Sequence, residues 1–240
     1  MEILAIIPAR GGSKGLPRKN VLPLLGHPLI AYSVLAAKQS KLVTRIITST
    51  DDAEISAVCK QYGAEVPFMR PAEIAEDWSV DLEVFTHALH WLKDNEGYVP
   101  DLVIQLRATS PVRLNNLIDT CIQKLIDNPE ADSLRIITPT PITPYKMWVV
   151  ENETKPMKPL LSLDSVDEPF NQLRQTLPKV YWQIGTLDVI RTNVITEQNR
   201  MSGNTILHHI VDNSLAIDID DIGSFYKAAE VISKGDCIKF

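Results

Sequence analysis

The chain is poor in cysteine and in long apolar runs. Its 240 residues contain three cysteines, which are odd in number, far apart and without metal-ligand spacing: Cys59, Cys121 and Cys237. We interpret each as a small core or surface residue, so neither a disulfide framework nor a cysteine metal site is expected. No apolar run approaches the ~18 residues of a membrane span, and no signal peptide is visible before the first strand pattern. These absences predict a reduced, cytoplasmic protein that does not enter a membrane.

Positive charge is also scarce. Lysine and arginine number 24 against 30 aspartates and glutamates, which gives a formal net charge of -6 at pH 7. General nucleic-acid binding needs a broad basic face, so no nucleic-acid partner is expected. The hydrophobic share of 45% and the charged share of 22% are ordinary for a folded globular protein. A chain of this length can bury one large core, and we predict a single domain over residues 1–240.

The positive charge that exists is gathered after the first apolar run. Residues 3–7 are nearly all apolar and partly β-branched, which predicts a buried parallel strand. The loop that follows, IPARGGSKGLPRKN at residues 7–20, combines four basic side chains with three glycines: Arg10, Lys14, Arg18 and Lys19 with Gly11, Gly12 and Gly15. Ligands of open α/β sheets bind at the carboxyl ends of the strands, where this loop is expected to lie.

This loop lacks the spelling of the two commonest nucleotide loops. A Walker loop needs GxxxxGK[ST] and a dinucleotide fingerprint needs GxGxxG, whereas the order here is GGxxG. We expect the glycines to adopt positive φ and to bring backbone amides close to phosphate oxygens, which the nearby cations also suit. The loop is therefore interpreted as a polyphosphate cradle, and a tight turn with a solvated basic rim is the alternative.

Strand and helix patterns alternate along most of the chain. Strand patterns cover residues 44–50, 65–69, 101–106, 133–138, 180–190 and 215–219, and helical patterns cover 28–41, 53–62, 80–93, 114–127 and 222–233. Such alternation implies right-handed crossovers between parallel strands. We therefore predict an α/β fold with a doubly wound, mostly parallel, Rossmann-like sheet.

Proline interrupts this alternation between residues 139 and 180. The prolines of this stretch are Pro139, Pro141, Pro144, Pro156, Pro159, Pro169 and Pro178. Because proline removes a backbone donor and fixes φ, long regular helices and central strands are not expected here. We predict an excursion from the core that serves as a lid or dimerisation arm, and a surface meander without a role is the alternative.

Acidic and apolar side chains alternate near the end of the chain, in LAIDIDD at residues 215–221. On a strand, Asp218 and Asp220 would point to one side while Ile217 and Ile219 face the other. Two adjacent carboxylates repel each other unless a cation lies between them, and their hard oxygens suit Mg²⁺ shared with a substrate phosphate. The alternative is that Asp220 or Asp221 caps the helix that follows.

Several segments together resemble the acylneuraminate cytidylyltransferases, which activate sialic acids and related nine-carbon sugars as CMP-sugars. The basic loop matches the family form (I/L)xARxxSKGxxxKN at Ala9, Arg10, Ser13, Lys14, Gly15, Lys19 and Asn20. It lacks the second arginine and the GK pair of the loop found in the related enzymes for the eight-carbon sugar Kdo. LAIDIDD resembles the family's IDxD metal segment, and RPAEIAED at residues 70–77 resembles the RPxxLAxD segment beside the nucleotide base and ribose.

Two further segments resemble the sugar-binding half of the same family. QLRATSPVR at residues 105–113 is similar to LLQPTSPLR, with Arg107 where a sugar-contacting glutamine is common. LRQTLPKVYWQIGTLDV at residues 173–189 is similar to PRQxLPxxxxxNG, in which the arginine of RQ meets the sugar carboxylate. A guanidinium is a fitting partner for a carboxylate. Departures from the family pattern at Trp182, Ile184 and Asp188 leave the identity of the sugar open.

The resemblance implies an enzyme that uses CTP, an acidic nine-carbon sugar and Mg²⁺ or another divalent cation, and that forms a homodimer. The anomeric hydroxyl of the sugar would attack the α-phosphorus of CTP and release pyrophosphate. The implied roles are as follows: Arg10, Lys19 and Asp220 catalytic; Ala9, Gly11, Gly12, Ser13, Lys14, Asn20 and Arg70 nucleotide-binding; Arg107, Arg174 and Gln175 sugar-binding; Asp218 and Asp220 metal-binding.

Other functions remain open from the sequence. One alternative is a nucleotidyltransferase that acts on a sugar 1-phosphate. Another is a nicotinamide-dependent oxidoreductase, in which Asp51 or Asp52 after the second strand would bind the ribose, although the GxGxxG spelling is missing. A third is a relative that only binds its ligands, against which the retained Arg10, Lys19 and late aspartates argue.

Overall fold

A computed structural model describes residues 1–164 and 166–240, so that Ser165, inside the predicted excursion, lies outside the described residues. The strands are β1 (Ile3–Pro8), β2 (Pro23–Leu24), β3 (His27–Pro28), β4 (Arg45–Ser49), β5 (Leu102–Gln105), β6 (Ser133–Pro139), β7 (Trp148–Val149), β8 (Lys158–Pro159), β9 (Tyr181–Arg191) and β10 (Ile206–Ile210). The α-helices are α1 (Leu29–Gln39), α2 (Ala53–Tyr62), α3 (Asp81–Glu96), α4 (Leu117–Ile126), α5 (Thr192–Thr196) and α6 (Ile222–Lys234). Of the helices in these ranges, none is both long and apolar enough to cross a membrane.

Within the described residues, the central sheet has six strands in the order β10-β6-β9-β5-β1-β4. Strand β1 pairs in parallel with β4 and β5, and β6 pairs in parallel with β10. Strand β9 is antiparallel to both of its neighbours, β5 and β6. The sheet is therefore mixed but mostly parallel, which confirms the predicted α/β class.

The core lies on both faces of this sheet. Side chains of a strand alternate between faces, and in β1 Ala5 and Ile7 join one apolar cluster while Leu4 and Ile6 join the other. The first cluster also contains buried residues of α1, α4 and α6, and the second contains those of α3 and α5. Strand β1 is thus buried on both sides, and its carboxyl end carries the basic loop to the edge of the sheet.

Two strand predictions are wrong. Residues 215–219 begin at the end of a short 3-10 turn and pair with no strand among the described residues. The Ile219 N–H donates to the Thr109 carbonyl at 2.8 Å, and one such hydrogen bond to the core does not make a strand. The last strand is instead β10, an edge strand whose sequence ILHHI was not predicted because its histidines interrupt the apolar run. Residues 65–69 contribute only an isolated bridge between Glu65 and Ile47.

The proline-rich stretch contains little regular structure. Its described residues form short 3-10 turns and the two-residue pairing of β7 with β8. Large apolar side chains are exposed along it: Ile142, Met147, Trp148, Val149, Val150, Met157, Leu160, Leu161 and Leu173.

Candidate active site

The carboxyl ends of β1 and β5 open onto one cleft of about 460 Å³. The residues that line it come from the basic loop, the segment before α3, the segment after β5, and the late acidic segment: Pro8, Ala9, Arg10, Ser13, Lys14, Gly15, Lys19, Asn20, Arg70, Glu76, Asp77, Ser79, Asp81, Val84, Arg107, Ala108, Thr109 and Asp220. Arg10 and Asp220 therefore face the same cavity, although they are far apart in sequence. Most of the residues predicted to bind the nucleotide lie here as well.

Two of the three loop glycines, Gly11 and Gly15, are needed for space, and none of the three is needed for positive φ. The prediction of positive φ is wrong, because Gly11, Gly12 and Gly15 all lack it, whereas Arg18 in the same loop has a φ of 57°. A Cβ on Gly11 would lie 2.8 Å from Oδ2 of Asp52, and a Cβ on Gly15 would overlap the backbone carbonyl oxygen of Asp220. The loop is thus packed directly against the acidic segment, with no room for a side chain between them.

Three of the four basic side chains in the loop face the cleft. Nη1 of Arg10 lies 2.8 Å from Oδ1 of Asp77, and Nζ of Lys14 contacts the other oxygen of that carboxylate. The largely buried Lys19 donates from Nζ to the carbonyl of Ile219 and to Oδ1 of Asp220, the latter at 3.1 Å. These contacts place three cations around the volume that a polyphosphate would occupy.

The fourth cation, Arg18, points away from the cleft. Its Nη2 lies 3.1 Å from Oδ1 of Asp52 and also contacts Glu54, both at the start of α2. Asp52 in turn accepts from the Ile55 N–H at 2.9 Å and caps α2. Arg18 therefore fixes the loop to a helix, and Asp52 is committed to that contact.

The other acid proposed for a nicotinamide ribose is committed to the loop as well. Oδ1 of Asp51 accepts from the Gly11 N–H at 2.9 Å. The loop is further braced by Asn20, whose side-chain amide donates to the Arg10 carbonyl at 3.0 Å. Asp51 therefore serves to hold the basic loop, and this contact does not favour the oxidoreductase alternative.

The late acidic segment keeps its predicted alternation without being a strand. Ile217 and Ile219 are buried, and Asp218 and Asp220 are exposed. Asp221 takes the capping role, since its carboxylate accepts from the Ser224 N–H at 2.7 Å at the start of α6. Neither Asp218 nor Asp220 is therefore used as the helix cap, and Oδ1 of Asp220 accepts from Lys19.

These two aspartates fit a divalent cation as part of its ligand set. The Asp220 side chain is 80% exposed and lines the cleft. In residues 1–164 and 166–240, no cluster of three or more His, Cys, Asp or Glu side chains could hold a metal ion without other ligands. Mg²⁺ usually takes one or two carboxylates together with substrate phosphate and water.

Arg70 is buried at the other end of the cleft. Its Nε donates to Oγ of Ser49 at 3.1 Å and its Nη2 donates to the Ser49 carbonyl at 2.5 Å. Burial lowers the pKa of this guanidinium to about 10. Arg70 is thus fixed by the end of β4 rather than paired with Glu73 or Asp77, the partners that an exposed strand-end arginine would take.

Arg107 is held on the opposite wall by an acid that the sequence did not reveal. Nη2 of Arg107 and Nε2 of Gln105 both donate to Oδ2 of Asp81, at 2.7 and 2.8 Å. Burial alone would lower the pKa of Arg107, but the charges of Asp81, Asp188 and Asp218 outweigh it and raise the pKa. The Arg107 guanidinium is therefore oriented, charged and partly open to the cleft.

Arg113 is a buried structural residue. It is fully buried and donates to the Thr186 carbonyl, the Ser33 hydroxyl and the Arg107 carbonyl at 3.0, 3.1 and 2.8 Å. With no carboxylate beside it, burial lowers its pKa to about 9. Arg113 therefore fixes the backbone from which Arg107 reaches the cleft.

Arg174 and Gln175 lie elsewhere. They line a second cavity of about 700 Å³ against the excursion, together with Thr140 and Tyr181. Nη1 of Arg174 donates to the Pro141 carbonyl at 3.0 Å. Within one chain, the structure does not bring these two predicted sugar ligands into the cleft that holds Arg10.

Three acidic residues of the cleft were not predicted from the sequence: Glu76, Asp77 and Asp81. Asp77 ends the RPAEIAED segment, so the motif itself was the available signal. Asp81 opens α3, where an acidic residue is ordinary because it complements the helix dipole. Neither Asp77 nor Asp81 could be assigned to the loop or to Arg107 before the fold was known.

A cation-rich cleft with Asp220 in its lining, at the carboxyl edge of a mostly parallel sheet, defines an α/β protein with a ligand site where open sheets of this class place theirs. The sequence pattern of the family described as cytidylyltransferase matches residues 4–172. The chain belongs to this family, which confirms the resemblance drawn from its motifs.

Individual relatives agree with this assignment. The chain is 33% identical over 219 residues to a CMP-N,N'-diacetyllegionaminic acid synthase of Campylobacter jejuni, covering 91% of this chain and 90% of the relative. It is 40% identical over 128 residues to a pseudaminic acid cytidylyltransferase of the same species, a match that spans just over half of each, 53% and 55%. A solved CMP:2-keto-3-deoxy-manno-octonic acid synthetase complexed with CTP shares the fold, with a TM-score of 0.70 at 17% identity over 98% of this chain and 99% of that one.

Proposed function

We propose that the protein transfers CMP from CTP to the anomeric hydroxyl of a nine-carbon 2-keto sugar acid and releases pyrophosphate. Family membership and the names of the relatives support the reaction class. The observation that carries the proposal is the convergence of Arg10, Lys14, Lys19 and Asp220 on one cleft. Cations and an acidic residue in that arrangement can hold a triphosphate together with its metal ion.

The basic loop would bind and polarise the triphosphate. Lys14, the Ser13 hydroxyl and the amides of Gly11 and Gly12 would hold its oxygens. Negative charge builds on the phosphate oxygens as the sugar oxygen attacks, and Arg10 and Lys19 would offset it. Asn20, Asp51 and Arg18 keep this loop in place, so the donors need little reorganisation during the reaction.

The base and ribose would lie between Ala9 and Arg70. Arg70 is rigid because β4 supplies both of its acceptors. Asp218 and Asp220 would hold Mg²⁺ beside the phosphates. When bound, that ion would neutralise phosphate charge and lower the pKa of the attacking hydroxyl.

Arg107 would bind the acidic sugar from the wall opposite the loop. Asp81 occupies one edge of its guanidinium, and the remaining N–H groups are free to donate to a carboxylate or hydroxyl. Arg174 and Gln175 lie on the excursion, whose exposed apolar side chains favour a contact with a second copy of the chain. We propose that the excursion is a dimerisation arm or lid that carries these two residues to a sugar site.

Pyrophosphate release tests the reaction. The chain is incubated with each of the four nucleoside triphosphates, Mg²⁺ and a panel of nine-carbon 2-keto acids. We expect release only with CTP and a free sugar acid. Release that requires a sugar 1-phosphate would favour the other nucleotidyltransferase, and tight NADH binding without a response to CTP would contradict the proposal.

Arg107→Gln is expected to raise the KM for the sugar acid by about tenfold and to change the KM for CTP by less than about twofold. The substitution removes one charge-assisted hydrogen bond, which contributes about 1.5–3 kcal/mol. Initial rates with each substrate varied in turn measure both constants. Arg200→Gln is the control, because Arg200 does not line the cleft and donates to Oδ1 of Asn204 at 2.6 Å. An equal rise in both constants for Arg107→Gln would contradict a specific role in sugar binding.

A further inference from the structure

Asp77 binds two of the three cations that the loop presents to the cleft. One carboxylate oxygen lies 2.8 Å from Nη1 of Arg10 and the other contacts Nζ of Lys14. Within the described ranges, neither cation has another acidic partner at ion-pair distance. The hydrogen bond from Lys14 and the charges of both cations hold the pKa of the Asp77 carboxyl below its ordinary value. An anionic group of the protein therefore occupies the place that the proposed function gives to phosphate oxygens.

The segment that carries Asp77 is fixed at both ends and loosely built between them. At its start, the N–H of the buried Arg70 donates to the Thr50 carbonyl at 2.7 Å. At its end, Asp81 accepts from Arg107 at 2.7 Å. Residues 71–80 between these anchors form a short 3-10 turn and bends. Asp77 can therefore leave the loop without any change in the core of the protein.

We propose that Asp77 is an exchange partner for the triphosphate: it holds Arg10 and Lys14 before CTP binds, is displaced by the phosphates, and competes with pyrophosphate for the same cations after the reaction. This role rests on the proposed function. Asp77 touches no reacting atom, so it is a positioning residue that acts through the two cations.

The exchange has two consequences for the reaction cycle. Arg10 and Lys14 stay near their working positions between turnovers, because one anion replaces another. Ligand binding is weakened by the need to displace a carboxylate, and the same competition speeds the departure of pyrophosphate. Removing the carboxylate should therefore tighten binding of both CTP and pyrophosphate, and should lower kcat where product release limits the rate.

The test compares Asp77→Asn with Glu76→Gln in the full chain. Both variants remove one negative charge from the same segment, and Glu76 lines the cleft without making an ion pair among the described residues. Calorimetry with pyrophosphate and Mg²⁺ measures the Kd. We expect Asp77→Asn to bind about fivefold to tenfold more tightly, as the loss of two partly exposed ion pairs implies. Glu76→Gln should change the Kd by less than about twofold.

Several outcomes would overturn the exchange role. One is unchanged or weaker pyrophosphate binding by Asp77→Asn, and another is equal tightening by Glu76→Gln, which would indicate a general charge effect. The wild-type chain supplies a second readout that needs no Asp77 variant. The neighbouring Trp78 side chain is 77% exposed, and its emission should change as pyrophosphate binds. That change should be absent in Trp78→Phe, and constant wild-type emission with pyrophosphate bound would also contradict the exchange.

Turnover of CTP by the wild-type chain separates the two proposals. A chain that releases pyrophosphate from CTP but shows neither effect keeps the proposed function and loses the exchange role. A chain that neither uses CTP nor binds pyrophosphate contradicts both.

Discussion

Asp220→Asn is expected to lower kcat by at least about a hundredfold while changing the Kd for CTP by no more than about fivefold. Asparagine keeps the shape of the side chain but removes the charge that faces Lys19 at 3.1 Å and that would hold a divalent cation. The triphosphate keeps Arg10, Lys14 and the loop amides, so most of its binding should survive. Steady-state pyrophosphate release and calorimetry with CTP measure the two quantities.

Asp221→Asn is the matched control for this experiment. The two aspartates are adjacent, and the carboxylate of Asp221 caps α6 instead of lining the cleft. Asparagine is as good an N-cap residue as aspartate, so activity and stability should both change little. Normal turnover by Asp220→Asn, or an equal loss in both variants, would remove Asp220 from the proposed site.

A strand could be predicted from the sequence where burial on both of its faces makes it a continuous run of apolar residues. Strand β1 reads as a continuous apolar run because its side chains enter both clusters. Strand β10 has only one neighbour in the sheet, and its histidines are compatible with an edge, so no such pattern arose. Residues 215–219 show the opposite case, since alternating burial there comes from Leu215, Ile217 and Ile219 packing into the first apolar cluster, without any pairing to a strand.

The site could be predicted where one short segment contains the chemistry. Arg10, Lys14, Lys19 and Asp220 line the cleft, and they could be proposed because the basic loop and the late acidic segment are each contiguous in sequence; their roles stay a prediction. Asp81 and Arg113 act on Arg107 through contacts that only the tertiary structure creates, and each has an ordinary local explanation as a helix-start acid or a solvated arginine. The placement of Arg174 depends on the path of the excursion at residues 139–180, and no local sequence pattern predicts that path.

Gly15→Ala is expected to lower kcat/KM for CTP by about a hundredfold. The added Cβ would overlap the Asp220 carbonyl oxygen. A backbone atom cannot move aside by rotating a side chain, so either the loop or the acidic segment must shift. A displacement of about 1 Å between catalytic groups can cost about a hundredfold in rate. Kinetics at varied CTP measure the loss, and thermal unfolding shows whether the fold is kept.

Gly12→Ala makes the comparison specific to the contact between loop and acidic segment. Gly12 lies in the same loop, also lacks a positive φ, and has no atom within 4 Å of an added Cβ. Both substitutions reduce the conformational freedom of the unfolded chain by the same amount, and both keep the backbone N–H. Gly12→Ala should therefore lose less than about threefold. Similar losses in the two variants would mean that the flexibility of the basic loop matters. Direct packing of this loop against the Asp220 backbone would then not be what aligns the cations with the acidic pair.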